Sequence, residues 1–361
     1  MATKSNVENV TRAWVDIDLG ALLRNGEAVS RHARVPLLPM VKADAYGLGV
    51  VPVARALDRL ELFGFGVATV DEGRELRAAG VDRRILVFTT LLPGEFTAAR
   101  AARLTPALSD AVAVSAWIES GGGPWHLAID TGMNRAGVRW DEMSGVAEAV
   151  RRAQPEGAFT HFHSAEQDDG SMLQQEARFR EALAALPVQP AWLHAENSAA
   201  IARRSPSPWA LVRPGVFLYG VGSDPKGSLQ PEPVVRVCAR IVELRDVRVG
   251  ESVSYGGSWT ATRHARVATL AVGYGDGYRR SLGNRGIALV RGARAPVVGT
   301  VTMDMTMIDV TGVACARGDV VTLIGRDDSH CVTVEDAAAA CHLSPYELLT
   351  GLRQRLPRRY Q

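Results

Sequence analysis

The chain has 361 residues, of which 47% are apolar, enough for one large domain and a smaller second one. Its formal net charge of +2 gives no basic field that would favour nucleic acid or anionic lipid. The N-terminal residues are polar and no apolar run reaches the length of a membrane span, so we expect a cytoplasmic protein without a secretory signal.

Eight short apolar runs follow one another between residues 35 and 213, with helix-like segments between them. The runs are Val35–Lys42, Phe63–Thr69, Ile85–Phe88, Leu104–Leu108, Trp125–Asp130, Ala158–His163, Ala191–His194 and Leu211–Arg213. Helical spacing of apolar residues predicts helices at Val51–Leu60, Asp71–Ala79, Ser109–Glu119, Asp141–Ala153 and Ser171–Leu186. This alternation predicts an α/β fold, a (β/α)8 TIM-like barrel over residues 12–230. A doubly wound open sheet is the alternative, because periodicity alone does not separate the two.

The sequence changes in character after Gln230, where Pro231 and Pro233 indicate a linker. A β-rich C-terminal domain is expected over residues 231–361, and residues 1–18 are expected to pack with it. Its predicted strands are Val234–Val242, Arg266–Val272, Ala295–Val301 and Asp319–Ile324. A capping box at Ser344–Glu347 predicts a late helix. The cysteines match no zinc motif, so we expect free thiols at Cys238, Cys315, Cys331 and Cys341 and no metal site.

Lysine is rare in this chain, where Lys4, Lys42 and Lys226 are the only lysines among 41 basic residues. Lys42 ends the first apolar run, and the active site of a (β/α)8 barrel lies at the C-terminal ends of its strands. Partial desolvation at such a position lowers the pKa of an amine and prepares it to form an imine. The alternative is an ordinary lysine that extends from a strand end into solvent.

The seventh and eighth runs end in residues suited to bind a phosphate. Ser198 follows the seventh run and is placed like a helix N-cap, and Gly215 follows the eighth and permits close approach to its backbone N–H. Phosphate sites in (β/α)8 barrels favour the loops after these two strands. A serine that only caps a helix is the alternative, but the coincidence with a strand-end lysine favours a phosphorylated cofactor.

Two further strand ends carry charged or titratable groups. Arg213 needs an anionic or acceptor partner inside a barrel mouth, and opposite a pyridine nitrogen it would donate a hydrogen bond without protonating the ring. An ordinary ion pair is the alternative for Arg213. His161 and His163 flank Phe162 and are expected on one face, by default as core residues, because no third metal ligand lies nearby in the sequence.

Three other segments carry candidate groups. Arg135 follows the fifth run and is able to bind a carboxylate bidentately. Tyr255 lies in a predicted tight turn within Ser252–Gly257. The Met-rich segment Thr302–Met305 is expected to be core.

These pieces together resemble the alanine racemase family, in register from Ala13 to Arg358. The segments that carry the resemblance are Val41–Gly49, Asp130–Val138, Arg213–Gly220, Val253–Gly256, Gly273–Gly277 and Met303–Met307. The resemblance implies a barrel that holds pyridoxal 5'-phosphate (PLP), followed by a β-rich domain. It also implies a head-to-tail homodimer in which the β-rich domain of the partner completes each active site.

The resemblance implies two catalytic bases. Lys42 would form the Schiff base with PLP and act as the base on the D-alanine side. Tyr255 of the partner subunit would act on the L-alanine side. Arg213 would face the pyridine nitrogen, with His161 linking it to the tyrosine and His194 supporting it.

The resemblance also implies the binding groups, which are the phosphate contacts, the carboxylate contacts and the entrance. The phosphate contacts would be Tyr46, Ser198 and the backbone of Gly215 and Val216. Arg135 and the backbone of Met303 would bind the substrate carboxylate. Tyr274 would narrow the entrance, with Asp304 in a supporting role.

Three positions depart from the family pattern. Ala128 stands where many members have a lysine that steadies the residue matching Arg135. Gln354 stands where many have a tyrosine that reaches the phosphate, and Thr300 where many have an arginine near the entrance. The expected function is nevertheless PLP-dependent interconversion of L- and D-alanine, supplying D-alanine for peptidoglycan.

Rival hypotheses follow from the same residues. The enzyme would act on serine or a broader set of amino acids, or the chain would bind PLP without turnover. A related barrel-type amino-acid decarboxylase is disfavoured, because the sequence carries no glycine-rich phosphate loop of that family's kind.

Overall fold

The structure is a computed structural model that describes residues 11–222 and 227–361, so Lys4 and Lys226 lie outside the described residues. The chain forms two compact units. The barrel unit comprises Leu19–Glu232, and the β-rich unit comprises the described residues up to Asp18 together with Pro233–Gln361. No helix in the described ranges is both long and apolar enough to cross a membrane.

Parallel strands of the barrel unit form one sheet in chain order. They are Gly64–Val67, Arg84–Val87, Thr105–Leu108, His126–Asp130, Gly157–Phe159 and Trp192–His194, with the two-residue strand Val138–Arg139 beside the fourth. Each of the six lies at one of the predicted apolar runs. Their side chains are buried on both faces of the sheet almost throughout, as expected for a parallel sheet that is covered on both sides.

The first and eighth predicted strands pair through isolated bridges and backbone hydrogen bonds, not through regular ladders. Leu37 bridges Leu62 on one side and Val212 on the other, both in parallel. The segment before Val212 in turn reaches the last strand, because the Ala210 N–H donates to the Leu193 carbonyl at 2.9 Å. Prolines flank the Leu37-Leu38 pair and have no backbone N–H, which prevents a regular ladder. The barrel is therefore confirmed, with two strands less regular than the sequence suggests.

The five predicted helices of the barrel unit start and end close to their predicted bounds. They are Val50–Leu57, Val70–Ala78, Ala111–Glu119, Ser144–Arg152 and Ser171–Ala184. The structure also contains Leu19–Ala33, Lys42–Gly47, Phe96–Ala101 and Ser198–Arg203. Val70–Ala78 begins at a capping box in which Thr69 and Glu72 satisfy each other's backbone N–H groups. Short 3-10 turns include Pro93–Glu95 and Val216–Tyr219.

The β-rich unit is built on a sheet in which nine of the described strands pair. Its central strand, Val235–Val247, pairs antiparallel with Ala13–Ile17, which pairs in parallel with Arg358–Tyr360. The other strands of the unit are Ser252–Val253, Trp259–Thr260, Ala265–Leu270, Ile287–Val290, Ala293–Pro296, Thr306–Asp309, Val320–Asp327 and His330–Val332. The prediction of one strand over Ala295–Val301 is wrong, because that strand ends at Pro296 and only Val297 bridges onward.

Two helices and four thiols complete the β-rich unit. The helices are Val334–Ala340 and Pro345–Thr350, and the second begins at the predicted capping box of Ser344 and Glu347. All four cysteines are free thiols, as predicted. Cys331 is half-buried, whereas the others are buried.

Candidate functional site

Lys42 begins a left-handed turn, so the prediction that it ends a regular strand is wrong. Each residue from Ala43 to Tyr46 has φ between 51° and 58°. Such a conformation costs about 1 to 2 kcal/mol for each residue other than glycine. Strain of this kind persists where the surroundings impose it, and it is concentrated at functional sites. The turn fixes the direction in which Lys42 leaves the barrel wall.

Carboxylates hold this left-handed turn in place. The Ala43 N–H donates to Glu72 Oε1 at 2.7 Å, and the second oxygen of Glu72 accepts from the Ala68 N–H at 2.7 Å. Asp44 Oδ1 accepts from the Val50 N–H at 2.7 Å. Sequence reasoning missed Glu72, because an acidic residue in the first turn of a helix already has a structural use.

The Lys42 amine lies in an environment that favours its neutral form. Burial lowers the pKa of Lys42, the positive charges of Arg135 and Arg213 lower it further, and Glu72 opposes them. A lower pKa leaves more of the amine unprotonated and nucleophilic. Lys42 is still solvent-accessible in the single chain, so a ligand is able to reach it.

Arg213 is buried, with 3% of its surface exposed, and all of its hydrogen-bond partners are neutral. Its Nη1 lies 2.8 Å from His194 Nδ1, and its Nη2 donates to the Thr160 and Ala195 carbonyls at 2.8 and 3.0 Å. Burial lowers the pKa of Arg213 to about 9, so it keeps its charge at neutral pH. Within the described ranges it forms no ion pair, which disfavours the ordinary ion-pair interpretation.

The two histidines beside Arg213 are neutral. His161 Nδ1 lies 3.3 Å from Arg213 Nη2, and burial, followed by the charge of Arg213, lowers the pKa of His161 to about 3. Burial and the same charge lower the pKa of His194 well below its usual value. His163 is exposed and contacts Ser164 at 2.7 Å. The strand ends at Phe159, before either histidine. The alternation of side chains along a strand, which predicted His161 and His163 on one face, therefore does not apply to them.

The fully buried histidines make stability depend on pH. His126, like His194, is fully buried, and burial lowers its pKa from 6.5 to about 3. The unfolded chain therefore binds more protons than the folded chain between these two pH values. The free energy of unfolding should be highest above pH 6.5. It should fall below that pH, by about 1.4 kcal/mol per pH unit for each such histidine.

Thermal melting at pH 7 and pH 5 measures this effect. We expect a lower Tm at pH 5, with a smaller difference between the two values in His126→Leu than in the wild type. Replacing the exposed His264 by glutamine is the control and should leave the difference unchanged. A pH dependence that is the same in His126→Leu and wild type would contradict the assignment of neutral buried histidines.

Ser198, Gly215 and Tyr46 meet at one corner of the barrel. Ser198 Oγ accepts from the Gly215 N–H at 2.9 Å. A Cβ on Gly215 would lie 2.6 Å from Tyr46 Oη, so glycine is required for this close approach. The Tyr46 ring packs on Tyr219 at 4.6 Å, and Tyr219, which sequence reasoning missed, donates to the Met40 carbonyl at 2.8 Å.

The prediction that Ser198 is an N-cap is wrong. Asn197 caps the helix, since its side chain accepts from the Ala200 N–H at 3.1 Å, and Ser198 is the first helical residue. Because Ser198 does not cap the helix, its hydroxyl is able to lie at the corner beside the backbone of Gly215 and Val216. Within the described ranges the Val216 N–H makes no hydrogen bond.

Arg135 lies in a loop whose backbone is fixed by Asp130. The two oxygens of Asp130 accept from the Gly132 N–H at 2.8 Å and the Arg135 N–H at 3.2 Å. The Arg135 guanidinium is exposed and forms no hydrogen bond or ion pair with the described residues. Ala128, on the strand that leads to this loop, packs with Phe159 in an apolar cluster. Nothing in that cluster steadies Arg135, as the absence of a lysine at this position suggested.

In the β-rich unit, Tyr255 is presented on a fixed turn. Its side chain is 75% exposed, whereas its carbonyl accepts from Thr300 Oγ1 at 3.1 Å. The Thr300 carbonyl accepts from Ser254 Oγ at 2.7 Å, and Thr300 Oγ1 lies 3.2 Å from Ser258 Oγ. Ser254 has a φ of 68°, so the turn is strained as well as hydrogen-bonded. Thr300 therefore fixes the Tyr255 backbone.

Tyr274, Met303 and Asp304 lie close together in the same unit. The Tyr274 N–H donates to the Thr302 carbonyl at 2.9 Å. Arg355 pairs bidentately with the buried Asp276 at 2.8 and 3.1 Å, and its Nη1 lies 2.8 Å from Asp304 Oδ1. Arg355 and Asp276 were both missed by sequence reasoning. Arg355 thereby joins the turn that contains Tyr274 and Asp276 to the turn that contains Met303 and Asp304.

The expectation that Thr302–Met305 is core is wrong. Met303 is 53% exposed and Met305 47%, because they lie in a turn whose carbonyls bond the neighbouring Tyr274 turn. Gln354 is also exposed. The chemistry-bearing residues thus form two groups, one at the strand ends of the barrel unit and one on exposed turns of the β-rich unit.

Comparison with known proteins covers both units. Residues 17–223 match the family model of the alanine racemase N-terminal domain, and residues 234–360 match that of the alanine racemase C-terminal domain. The chain belongs to the alanine racemase family. This membership confirms the resemblance found in the sequence.

Individual members of the alanine racemase family are similar over their whole length. Alanine racemase of Geobacter sulfurreducens is 39% identical over 368 residues, which is 96% of each chain. The crystal structure of alanine racemase from Bartonella henselae with covalently bound pyridoxal phosphate is 28% identical, with a TM-score of 0.90 over 98% of this chain and 100% of that one. The structure from Bacillus anthracis with bound L-Ala-P is 29% identical, with a TM-score of 0.89 over 98% and 95%.

Proposed function

We propose that this chain is a cytoplasmic PLP-dependent alanine racemase that interconverts L- and D-alanine as a homodimer and supplies D-alanine for peptidoglycan. The observation that carries this proposal is the barrel end, where the Lys42 amine, with its lowered pKa, lies near the buried Arg213, whose acceptors among the described residues are all neutral. The second group of residues, on the β-rich unit, would come from the partner subunit.

The barrel end fits PLP. Tyr46 Oη, Ser198 Oγ and the backbone of Gly215 and Val216 would form a donor set for a phosphate, at a position that a Cβ on Gly215 would fill. The Gly215 N–H, which donates to Ser198 Oγ without the cofactor, would exchange that acceptor for the phosphate. Lys42 would hold the cofactor covalently, as the Bartonella henselae relative binds pyridoxal phosphate covalently. The cofactor would supply an electron-withdrawing ring that makes the α-proton of the substrate more acidic.

The side chains of the site would have two kinds of role, proton transfer and binding. Lys42 Nζ would remove or return it on the D side, and Tyr255 Oη of the partner subunit on the L side, because inversion requires one base on each face. Arg213 would donate a hydrogen bond to the ring nitrogen and not a proton, which limits protonation on the ring. Arg135 and the Met303 backbone would bind the substrate carboxylate, and Tyr274 and Asp304 would shape the entrance.

A homodimer with shared sites is supported by the exposure of Tyr255. A tyrosine that is 75% exposed, on a turn fixed by several hydrogen bonds, is well placed to enter a site on a second copy of the chain. Tyr274, Met303 and Met305 add exposed apolar surface to the same unit. Exposed apolar surface of this kind is typical of interaction sites.

Borohydride reduction followed by peptide mapping tests the cofactor assignment. We expect the pyridoxyl group on the peptide that contains Lys42 and no label in Lys42→Met. Label on Lys4 or Lys226 would overturn the assignment. Turnover of a panel of L-amino acids tests the substrate, and a higher kcat/KM for serine than for alanine would contradict alanine as the substrate.

Replacing Thr300 by valine should weaken catalysis without weakening cofactor binding. The variant removes the hydroxyl that donates to the Tyr255 carbonyl and that also contacts Ser258 Oγ. The hydrogen bond to the Tyr255 carbonyl, of about 0.5 to 1.5 kcal/mol, predicts a fall in kcat/KM of about 2- to 13-fold. Steady-state kinetics and PLP absorbance measure the two effects. Thr300→Ser is the matched control that keeps the hydroxyl, and if it is as slow as valine, the hydrogen bond is not the cause.

A further inference from the structure

A line of three buried side chains runs through the barrel interior from Arg213 through His194 to His126. Arg213 Nη1 lies 2.8 Å from His194 Nδ1, and His194 Nε2 lies 2.8 Å from His126 Nδ1. Neither histidine has any exposed surface. His126 lies on the fourth strand of the sheet, Arg213 follows the eighth apolar run, and His194 ends the strand Trp192–His194.

The arginine determines which nitrogen of each ring carries a proton. A guanidinium only donates, so His194 Nδ1 must accept from Arg213. The single proton of neutral His194 is then on Nε2 and is donated to His126 Nδ1. His126 in turn must carry its proton on Nε2. The two distances are thus compatible with one set of tautomers when both rings are neutral.

This arrangement leaves an unpaired donor in the barrel core. His126 Nε2 is buried and has no hydrogen-bond partner among residues 11–222 and 227–361. An unpaired buried N–H is unfavourable. The neighbouring strand also makes room for the ring, because a Cβ on Gly157 would lie 2.4 Å from His126 Cε1. The chain thus accommodates a histidine whose Nε2 has no partner, and within the described ranges the one hydrogen bond of its side chain is with His194.

We propose that His126 is a positioning residue for racemisation. By accepting the His194 Nε2–H, it fixes His194 in the tautomer whose Nδ1 accepts from Arg213, and so orients the guanidinium toward the cofactor ring. This inference rests on the proposed function, in which Arg213 faces the ring nitrogen.

Neutral partners are important for this role. A carboxylate in place of His126 would favour a doubly protonated His194, whose Nδ1 would then compete with Arg213 as a donor. A neutral histidine at 126 accepts the His194 Nε2–H and so orients the His194 ring without favouring its double protonation. The other partners of the guanidinium, the Thr160 and Ala195 carbonyls, are neutral as well. Among the described residues, Arg213 therefore forms no ion pair with a carboxylate, and Glu196 acts on it only through its charge.

Two substitutions of His126, made in the full-length PLP-loaded protein, separate positioning from packing. Leucine fills the space but accepts no hydrogen bond, whereas asparagine places an oxygen close to the position of Nδ1. We expect His126→Leu to lower kcat/KM about 10-fold, the lower end of the loss seen when the partner of a metal-bound histidine is removed. Its Tm should stay level, because the unpaired N–H of His126 is removed while the His194 Nε2–H loses its acceptor. His126→Asn should keep most of the activity.

Nitrogen NMR of the histidine rings in the cofactor-free protein gives a readout that does not depend on turnover. We expect two buried rings in the wild type, each protonated on Nε2 alone, and a changed His194 signal in His126→Leu. Wild-type kcat/KM in His126→Leu would overturn the proposal. A Tm that falls together with activity, equally in both variants, would do the same. If the wild type holds no PLP or does not racemise alanine, the proposed function fails. The NMR measurement still tests the hydrogen bonds from Arg213 through His194 to His126, because it needs no cofactor.

Discussion

Replacement of Tyr255 by phenylalanine should reduce interconversion of L- and D-alanine at least about 100-fold, the range by which a positioned acid or base contributes. PLP binding should be unaffected, because Tyr255 belongs to the β-rich unit and the phosphate donors belong to the barrel unit. The phenyl ring keeps the size of the side chain and removes only the hydroxyl. Since the two enantiomers have equal free energy, kcat/KM must fall equally in both directions.

Exchange of the α-hydrogen in heavy water shows which base is lost. With Tyr255→Phe, D-alanine should still exchange its α-hydrogen with solvent through Lys42 and keep its configuration. L-Alanine should exchange slowly, because its own base is missing. Mass spectrometry and chiral chromatography measure the two processes. If the variant exchanges L-alanine and spares D-alanine, the assignment of the two bases is reversed.

Mixing two inactive variants tests whether the bases come from different chains. In a heterodimer of Lys42→Ala and Tyr255→Phe, one shared site would lack both bases and the other would have both. With random exchange of subunits, about a quarter of the wild-type activity should return. A mixture that stays inactive despite proven subunit exchange would place Lys42 and Tyr255 of each site in one chain.

Replacement of Gly215 by alanine should weaken PLP binding about 10- to 100-fold. The new Cβ would lie 2.6 Å from Tyr46 Oη, and the Tyr46 ring is held against Tyr219 at 4.6 Å. Overpacking of this kind typically costs about 1 to 3 kcal/mol. Titration of the cofactor-free protein with PLP, followed by absorbance, measures the affinity.

A second glycine of the barrel unit provides the control for that substitution. Gly145 lies in the helix Ser144–Arg152, and a Cβ added there would meet nothing within 4 Å. Gly145→Ala should therefore leave PLP affinity unchanged and raise the stability slightly, since alanine is a better helix former. Equal PLP affinity of the Gly215→Ala variant and the wild type would show that this corner does not hold the phosphate.

Most of the barrel could be predicted from sequence, because its parallel strands are short apolar runs separated by helices. The first and eighth strands were predicted as regular, but prolines around Leu37 interrupt the ladder and leave isolated bridges and separate hydrogen bonds. Local patterns do not report such a loss of pairing, since it depends on which strand lies alongside. The late helix at Pro345 was predicted because its capping box is a local signal.

The site was predictable where a residue type is suited to one particular chemical role. Lys42 and Arg213 stand out for that reason, and the resemblance supplied roles for them. The left-handed turn after Lys42 was not predictable, because alanine and aspartate give no local signal for it. His126 was missed for a different reason: it looks like a core histidine, and only its 2.8 Å contact with His194 reveals its position in the line.

The hydrogen bonds around Leu37 have a consequence for the motions of the barrel wall. The Leu38, Met40 and Val41 N–H groups donate to the segments on both sides at 2.8 to 2.9 Å, although prolines interrupt the regular ladder. Amide protons that are hydrogen-bonded in this way exchange only when the segment opens. These three should therefore exchange with deuterated solvent as slowly as the hydrogen-bonded amides of Thr105–Leu108, and the wall beside Lys42 should stay closed.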